Sequence, residues 1–508
     1  MFEKYFKYPV IVLYIAIFMV WFFAAYAERH LKLPEGCDEF GYLNMAKAVA
    51  KGHLFTSHSY RPFDSQLTKH LRQTTFDLRS YQHVICPEAY HFDPSSGKTI
   101  NQYPPGTGIL LSILPFETRK VAAPALYALL IVLLMIYAFK VRSGKISFIN
   151  LNLLAVLMFL LFYQKGIFSA GSFTTINSYA PTYGFLLAAG YLLNKRPGVA
   201  ILLLGASTFF RFVNVLFFLP FLFVYLYGND GVRGYFSQGA LLKTFRAVGL
   251  ILFGGLGWYL LYVWVLLGNP LASTYSYIDQ EVVSINDILG NIGFYFNFNK
   301  LWFKGHLTVI GFMVLLGIFR KMPVRWILFS VVLSLLNYGF YFLHKVKIEY
   351  YPYASMVIIT GILLQYLEVY INKTKFRIVV NYIGVIILLS ASIFSAVKFP
   401  RQDLIRVFNE QIQTYKDCFS EYDVVWAQLH SGTVEYATGK ASFRYQWGPE
   451  QVRNDILVWL RNNGYRQAIW TSDLDSSYED SVKNALKNIP LDYNIKTCAA
   501  LGTVIEIR

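Results

Sequence analysis

The sequence is poor in charge and in cysteine. Only 15% of its 508 residues are charged, and it contains four cysteines. Zinc-type histidine spacing, low-complexity tracts and short internal repeats are also lacking, which argues against zinc-binding modules, disordered chains and solenoids. In their place, hydrophobic residues make up 55% of the chain and aromatic residues 18%. This composition favours a membrane protein with aromatic residues at the interfaces.

Acidic residues are scarcer than basic ones, 30 against 46, which gives a formal net charge of +16. Six basic clusters between apolar runs hold 16 of the Lys and Arg residues, so the excess reflects membrane topology rather than nucleic-acid binding. All six fall on the cytoplasmic side if the N-terminus is cytoplasmic. The clusters are Lys4 and Lys7; Lys140, Arg142 and Lys145; Lys195 and Arg196; Arg233, Lys243 and Arg246; Arg320, Lys321 and Arg325; and Lys373, Lys375 and Arg377.

Eleven apolar runs are candidate membrane spans. The first, 8–27, has no charge over 20 residues, which at about 1.5 Å per residue matches the ~30 Å hydrocarbon core. It is longer than the apolar part of a signal peptide, so we interpret it as an anchor. The others lie at about 121–139, 147–163, 176–193, 198–210, 213–227, 247–267, 307–319, 326–343, 351–370 and 378–397.

The segment 198–227 is long for one span and short for two, with Arg211 near its middle. A single span would place the last three basic clusters outside. We therefore predict two short helices that meet at Arg211 on the outer side. The predicted fold is a polytopic α-helical membrane protein of about 11 spans, with the N-terminus inside and the C-terminus outside.

Two polar regions interrupt this pattern. We predict a transmembrane body over 1–397, which includes a first extracytoplasmic loop at 28–120, and a small extracytoplasmic α/β domain over 398–508. In that domain, strands are predicted at 422–429, 465–471, 492–498 and 502–507, and helices at 449–463 and 476–488. Its acids Asp473, Asp475, Glu479 and Asp480 are expected to form a solvated helix start.

The cysteines fall only in these polar regions. Cys37 and Cys86 lie in the first, and Cys418 and Cys498 in the second. All four are disulfide candidates in an oxidising compartment, although the connectivity does not follow from sequence and free thiols stay possible. The scattered histidines of the first region, and the group Glu88, His91 and Asp93, lack zinc-type spacing, so no metal site is predicted.

Two adjacent acids, Asp38 and Glu39, lie just beyond the first apolar run. A helix is predicted from Glu39 to Lys51, with Gly52 at its end. Asp38 would then either cap this helix or act chemically at the outer membrane face, two roles that are compatible. Glu39 is interpreted as a supporting acceptor or a charge that favours the helix dipole.

These residues carry a family resemblance that covers roughly 1–395. Asp38-Glu39 followed by Tyr42 and Ala46, the Tyr103-Pro104-Pro105-Gly106 turn, and Gly268-Asn269-Pro270 resemble GT-C glycosyltransferases of the aminoarabinose-transferase and protein-mannosyltransferase type. The chain departs from them at Gln102-Tyr103, where aminoarabinose-type enzymes have Glu-Lys. A second acid and a phosphate-binding lysine therefore do not carry over to that position.

The resemblance implies transfer of a sugar from a polyprenyl-phosphate-linked donor to an envelope glycan, lipid or protein at the outer face of the cytoplasmic membrane. Asp38 is the implied catalytic base, with Glu39 and Tyr103 in support. A leaving phosphate needs cations at the interface, and the outer-face candidates are Arg211, Lys345 and Lys347. No cofactor and no nucleic-acid partner are predicted, and membrane lipids surround the body.

The main alternative is a lipid-carrier flippase or transporter, since many spans with a few buried charges also describe that class. Such proteins usually show paired repeats and broken helices near the midplane. Here the charges concentrate at the predicted outer face. A receptor or scaffold with an outer sensing domain would leave Asp38 without a task. The sequence therefore favours the transferase.

Overall fold

The structure is a computed structural model. It describes residues 33, 36–53, 64–74, 84–93, 98–144, 146–147, 149–154, 176–227, 239–272, 274, 283–344, 347, 351–372, 379, 386, 404–447, 449–474, 482, 486, 492–498 and 500–507. The predicted span 8–27 and most of 147–163 and 378–397 lie outside these residues. The predicted count of eleven spans, with the N-terminus inside, stays a prediction.

Helices dominate the described part of the chain. We number them α1 (Gly36–Ala50), α2 (Asp64–Gln73), α3 (Pro105–Ser112), α4 (Arg119–Ser143), α5 (Tyr179–Leu192), α6 (Pro197–Phe210), α7 (Phe218–Tyr227), α8 (Ala240–Ile251), α9 (Gly257–Leu267), α10 (Ile285–Tyr295), α11 (Leu301–Ile318), α12 (Val324–Phe342), α13 (Tyr353–Asn372), α14 (Leu404–Phe419), α15 (Ser431–Thr438) and α16 (Glu450–Asn462).

Seven strands complete the list: β1 (Tyr90–Asp93), β2 (Lys98–Asn101), β3 (Val424–Ala427), β4 (Ala441–Arg444), β5 (Gln467–Trp470), β6 (Tyr493–Cys498) and β7 (Gly502–Ile507). The chain separates into two compact units. The helical unit comprises Met1–Arg29, Val121–Leu261 and Asp279–Pro400. The mixed unit comprises His30–Lys120, Tyr262–Ile278 and Arg401–Arg508.

Four helical stretches in the described part of the chain are long and apolar enough to cross a membrane, one of them kinked at Gly255. They are Ala122–Ser143, Ala240–Leu267, Val324–Phe342 and Tyr353–Ile371. Shorter apolar helices run over Pro197–Phe210, Phe212–Tyr227 and Trp302–Ile318. The chain is thus a multi-pass membrane protein by the length and composition of its own helices.

Close backbone contact between α5 and α13 organises the helical unit. A Cβ on Gly190 would stand 2.1 Å from the carbonyl oxygen of Ile358, and one on Gly361 would stand 2.3 Å from that of Leu187. Small residues at a helix crossing let backbones approach, which compensates for the weak hydrophobic drive between helices in lipid. Both glycines are therefore required by packing.

The predicted break at Arg211 is present. Helix α6 ends at Phe210, Arg211 has extended backbone (φ −148°, ψ 100°), and a 3₁₀ turn over Phe212–Phe217 leads into α7. The Arg211 N–H still donates to the Ser207 carbonyl at 2.9 Å, so the helix end is satisfied. Two short helices meet at this arginine, as the charge pattern predicts.

The mixed unit contains a five-stranded sheet in the order β4-β3-β5-β7-β6. Strand β3 pairs in parallel with β4 and β5, while β7 is antiparallel to β5 and to β6. Strands β3 and β5 fall inside the predicted segments, β6 and β7 coincide with theirs, and α16 lies within 449–463. The sequence analysis missed β4, α14 and α15, while the predicted helix 476–488 lies almost wholly outside the described residues.

Cys418 and Cys498 are joined by a disulfide with a Cα separation of 5.9 Å, a distance at which a bridge forms without moving the backbone. It ties α14 to β6 beside a core of Phe419, Tyr422 and Trp470. Cys37 and Cys86 do not form the second bridge that the sequence allowed. The Cys86 thiol instead lies 4.0 Å from Thr99 Oγ1.

Candidate functional site

Asp38 lies in the first turn of α1, inside the helix. The helix begins at Gly36, whose φ of +78° sets the entry of the chain, and it ends at Ala50 before Gly52 (φ +81°). The predicted start at Glu39 is therefore three residues late. Asp38 is the third residue of the helix as its bounds are drawn and lies in its first turn. Its half-buried carboxylate still favours the positive end of the helix dipole.

Glu39 is buried and neutralised. Its Oε2 lies 2.8 Å from the ammonium of Lys120, and both side chains are less than a tenth exposed. Lys120 also donates to the Leu33 carbonyl at 2.8 Å. A buried pair of this kind is costly to break from one side. Glu39 therefore ties α1 to the start of α4, a positioning task rather than a chemical one.

Tyr103 packs on the face of α1 that continues from Asp38. A Cβ on Gly41 would stand 2.6 Å from the Tyr103 ring, and the rings of Tyr42 and Tyr103 are 4.7 Å apart. Gly41 and Tyr42 follow Asp38 at spacings of three and four, so they share its face of the helix. Asn101 fixes the approach, because its amide donates to the Gly41 carbonyl and its oxygen accepts from the Tyr103 N–H, both at 2.9 Å.

A second carboxyl lies in this neighbourhood. Burial raises the pKa of Glu88 to about 8, with Arg444 acting in the opposite direction and the charges of Asp473 and Asp38 adding to the rise. The Glu88 Oε2 accepts no hydrogen bond from a described residue. Burial likewise raises the pKa of the Cys37 thiol to about 12. Near neutral pH, Glu88 is therefore protonated for much of the time, unlike an ordinary surface carboxylate.

Arg444 is the buried cation of this neighbourhood. Its Nε donates to the Cys86 carbonyl at 3.2 Å and its Nη2 to the Tyr90 carbonyl at 3.0 Å. Its backbone N–H donates to the Val84 carbonyl at 2.8 Å. Burial lowers the pKa of this guanidinium, although it stays charged at any ordinary pH. Strand β4 is thus joined by hydrogen bonds to the 84–90 segment.

Asp473 differs from its prediction. It was expected in a solvated helix start, but it is buried in a 3₁₀ turn, while Asp475, Glu479 and Asp480 lie outside the described residues. Its Oδ2 accepts from the N–H groups of Gln428 at 2.6 Å and His430 at 3.0 Å, and its Oδ1 lies 2.5 Å from His430 Nδ1. Buried hydrogen bonds that close the loop after β3 keep this acid out of water.

Arg211 is caged by aromatic rings. Its Cζ lies 3.5 Å from the centroid of Tyr179 and 5.1 Å from that of Tyr351, and its Nη2 donates to the Tyr341 hydroxyl at 2.8 Å. Its Nε is buried without a hydrogen-bond partner, and no carboxylate among the described residues pairs with it. Cation–π contacts offset part of the desolvation cost. Arg211 is therefore a positive charge whose Nε–H donates to no described residue.

The structure shows fewer contacts for the other two predicted phosphate ligands. Lys347 is exposed, with its Nζ 3.0 Å from the point where a Cβ on Gly290 of α10 would stand. Lys345 lies outside the described residues. Asp38, Glu39 and Tyr103 thus belong to the mixed unit, and Arg211 and Lys347 to the helical unit. Within the described part of the chain, no three His, Cys, Asp or Glu side chains are arranged to hold a metal ion.

Glu88 and the Asp473–His430 pair are the site-region residues that the sequence did not single out for chemistry. Glu88 was weighed only as a metal ligand with His91 and Asp93. Its neighbours Asp38, His430 and Arg444 are brought to it by the fold, from positions up to hundreds of residues away in sequence. Sequence spacing carries no signal for such a neighbourhood.

No protein-family model and no curated protein sequence matches the chain. Solved structures do. The crystal structure of ArnT from Cupriavidus metallidurans in the apo state has a TM-score of 0.56 at 12% identity, over 99% of this chain and 98% of that one. The crystal structure of the same enzyme bound to undecaprenyl phosphate has a TM-score of 0.53 at 12% identity, over 98% of each chain. The likeness spans both chains, so the fold is of the GT-C type.

Proposed function

We propose that the chain is a GT-C-type glycosyltransferase that moves a sugar from a polyprenyl-phosphate donor to a cell-envelope acceptor at the outer face of the cytoplasmic membrane. The observation that carries this proposal is the fold likeness over the whole chain, to an enzyme that has been crystallised with undecaprenyl phosphate. At 12% identity the likeness concerns fold alone. The residues must supply the rest of the argument.

The proposed base is Asp38. A polyprenyl phosphate leaves as a stable anion and needs no strong general acid, so one carboxylate that accepts the proton of the acceptor hydroxyl is sufficient. Asp38 is half-buried at the start of α1, whereas its neighbour Glu39 is engaged by Lys120. Of the two adjacent acids, Asp38 is therefore the one that an acceptor can approach. Direct displacement by the acceptor oxygen inverts the anomeric carbon.

The proposed ligand of the donor phosphate is Arg211, with Lys345 and Lys347 in support. Arg211 is half-buried, its described neighbours are tyrosines and no described carboxylate neutralises its charge, so a phosphate oxygen would both neutralise it and accept its open Nε–H. An ionisable residue at a break between two apolar helices has a functional role by default. Stabilisation of the leaving phosphate would contribute to the rate.

The decisive experiment is transfer of radiolabelled sugar from polyprenyl-phosphate lipids to envelope extracts. Membranes would contain the native chain, Asp38→Asn or, as a matched control, Asp417→Asn at equal expression. Asp417 is an exposed acid of α14 in the same unit. We expect activity in the native chain and the control, and a loss of about 100-fold or more in Asp38→Asn, the scale of general-base catalysis.

Transfer by all three proteins would keep the enzyme but remove Asp38 as its base. Absence of transfer by the native chain, across several sugar donors and acceptor extracts, would contradict the proposed function. In that case a lipid-carrier flippase becomes the better interpretation, and movement of a labelled polyprenyl-phosphate sugar across proteoliposomes would test it.

A further inference from the structure

A basic cavity lies at the far end of α1 from Asp38. It has a volume of about 420 Å³, and the residues that line it include Lys47, Lys51, Phe116, Arg119, Lys416 and Tyr436. All of them belong to the mixed unit. Lys47 follows Asp38 by nine residues, which corresponds to ~13.5 Å along a helix. The cavity is therefore distinct from the first turn of α1.

The cavity collects positive charge from three separate segments of the chain. Lys47 and Lys51 come from the end of α1, Arg119 from the start of α4 and Lys416 from α14. None of the described residues that line it is acidic. The charges of Lys51, Arg119 and Lys416, together with burial as the largest cause, lower the pKa of Lys47, while Glu435 acts in the opposite direction.

The negative ends of neighbouring helices do not neutralise all of this positive charge. The C-terminal ends of α1 and α15 reach the cavity at Ala50 and Thr438, and each carries about half a negative charge. With Glu435 they offset about two of the four cations, so roughly two positive charges are left over among the described residues. Like charges held together in a partly buried site destabilise the fold unless an anion binds between them.

The four cations of the cavity also differ in what they contact. Arg119 is buried and serves the fold, because its Nε donates to the carbonyls of Leu111 at 3.2 Å and Leu114 at 3.0 Å. The side chains of Lys47, Lys51 and Lys416 make no hydrogen bond or ion pair with a described residue. The Lys47 ammonium lies only over aromatic rings, 5.6 Å from the centroid of Phe116 and 6.0 Å from that of Tyr436. Three ammonium groups are therefore available to an anion.

One wall of the cavity is aromatic. The rings of Phe116 and Tyr436 stack with centroids 5.1 Å apart. A volume of about 420 Å³ is within the range of small-molecule sites and exceeds what one inorganic ion needs. We propose that this cavity binds a phosphate-bearing group, with the phosphate between Lys47, Lys51 and Lys416 and an uncharged portion against Phe116 and Tyr436.

Binding to the full chain in zwitterionic phosphatidylcholine nanodiscs tests the proposal. The soluble probes are inorganic phosphate, glucose 1-phosphate and, as a neutral control, glucose, each titrated calorimetrically. The lipid arm uses nanodiscs with and without 20% phosphatidylglycerol, and native mass spectrometry measures the lipid retained. The variants are Lys47→Gln/Lys416→Gln, Lys51→Gln alone, and Lys69→Gln/Arg461→Gln, which removes two exposed charges away from the cavity.

We expect glucose 1-phosphate to bind more tightly than inorganic phosphate, and glucose not to bind. The affinity for the phosphate probe should fall at least tenfold in the cavity double variant and about threefold in Lys51→Gln. It should be unchanged in the matched control. If the protein retains phosphatidylglycerol in a lysine-dependent way but binds no soluble phosphate, the result would support the site. The phosphate would then come from a lipid headgroup. Lack of binding by every phosphate probe, or binding that the cavity variants do not weaken, would overturn the proposal.

Because Lys51 is exposed, its substitution tests the cavity even if the double variant folds poorly. The result is also independent of the transferase proposal. Loss of the Asp38-dependent activity would leave phosphate binding intact, and loss of phosphate binding would leave Asp38 as the proposed base.

Discussion

Arg142 and Arg211 are both largely removed from solvent in the helical unit, yet their charges are treated in opposite ways. Arg142, in the last turn of α4, pairs with Glu368 of α13 and donates to the Tyr191 hydroxyl at 2.8 Å. Arg211 has tyrosines around it and a buried N–H that no described residue accepts. One arginine belongs to a closed ion pair, and the other keeps its capacity to bind an anion.

This contrast separates a charge that is paired within the fold from one that the described residues leave unpaired. A buried ion pair is satisfied within the fold, so its loss should damage folding. An arginine whose charge no described residue neutralises is expected to contribute little to stability, and we proposed above that it binds the donor phosphate. The mixed unit repeats the contrast, with Glu39 paired to Lys120 and with Glu88 buried and incompletely hydrogen-bonded.

The largest effect should come from breaking the closed pair. Arg142→Met leaves Glu368 buried without its cation, at a cost of about 3–5 kcal/mol in the free energy of unfolding. Denaturation in detergent with the native chain as reference measures it. The double variant Arg142→Met/Glu368→Gln should recover most of the loss. If the double variant is as unstable as the single one, the pair is not what stabilises this region.

Arg211→Met should act on activity instead. We expect sugar transfer to fall about 100-fold, equivalent to ~2.7 kcal/mol of transition-state stabilisation. The melting temperature should be unchanged or slightly higher, because an uncompensated buried charge has been removed. Transfer kinetics and thermal melting on the same preparations test both halves. A variant that melts like Arg142→Met but keeps its specific activity would show that Arg211 is structural.

Glu88 should make the stability of the folded protein depend on pH. Its folded pKa of about 8 lies above the ordinary value of 4.5, so the folded state holds a proton that the unfolded state releases. The stability from this proton is full below about pH 4.5 and declines as pH rises through 8, by at most ~1.4 kcal/mol per pH unit. Melting between pH 5 and 8.5 should therefore decline less in Glu88→Gln than in the native chain. Equal slopes would contradict the assignment.

The smallest effect should come from Gly41→Ala. The added Cβ would meet the Tyr103 ring at 2.6 Å and the Ala89 side chain at 2.7 Å, and overpacking of this kind costs about 1–3 kcal/mol. Because Tyr103 packs beside the helix face of Asp38, transfer should also decline modestly. Gly249→Ala, where the structure places nothing within 4 Å of the new Cβ, is the matched control. Because Ala favours a helix over Gly by about 1 kcal/mol, Gly249→Ala should gain stability. An equal gain in Gly41→Ala would show that helix propensity, not contact with Tyr103, decides the outcome.

Local pattern determined much of the chain's secondary structure. The charge alternation predicts the break at Arg211 because a single span would have reversed every downstream cluster. Strands β6 and β7 coincide with short runs that favour strand. Such features depend on neighbours in sequence, through hydrophobic periodicity and the cost of charge in a bilayer. The same local signals placed α1 three residues late, because its start at Gly36 depends on a glycine at positive φ.

Only the tertiary structure decided which charges are neutralised. Arg142 and Glu368 are 226 positions apart, Asp473 is buried by loop N–H groups from 428 and 430, and the basic cavity needs three distant segments. The sequence by itself supplied many of the helices, the acid Asp38 after the first apolar run and the arginine between two short helices. The fold decided their partners, because Coulomb attraction and desolvation depend on distances in space that sequence spacing does not encode.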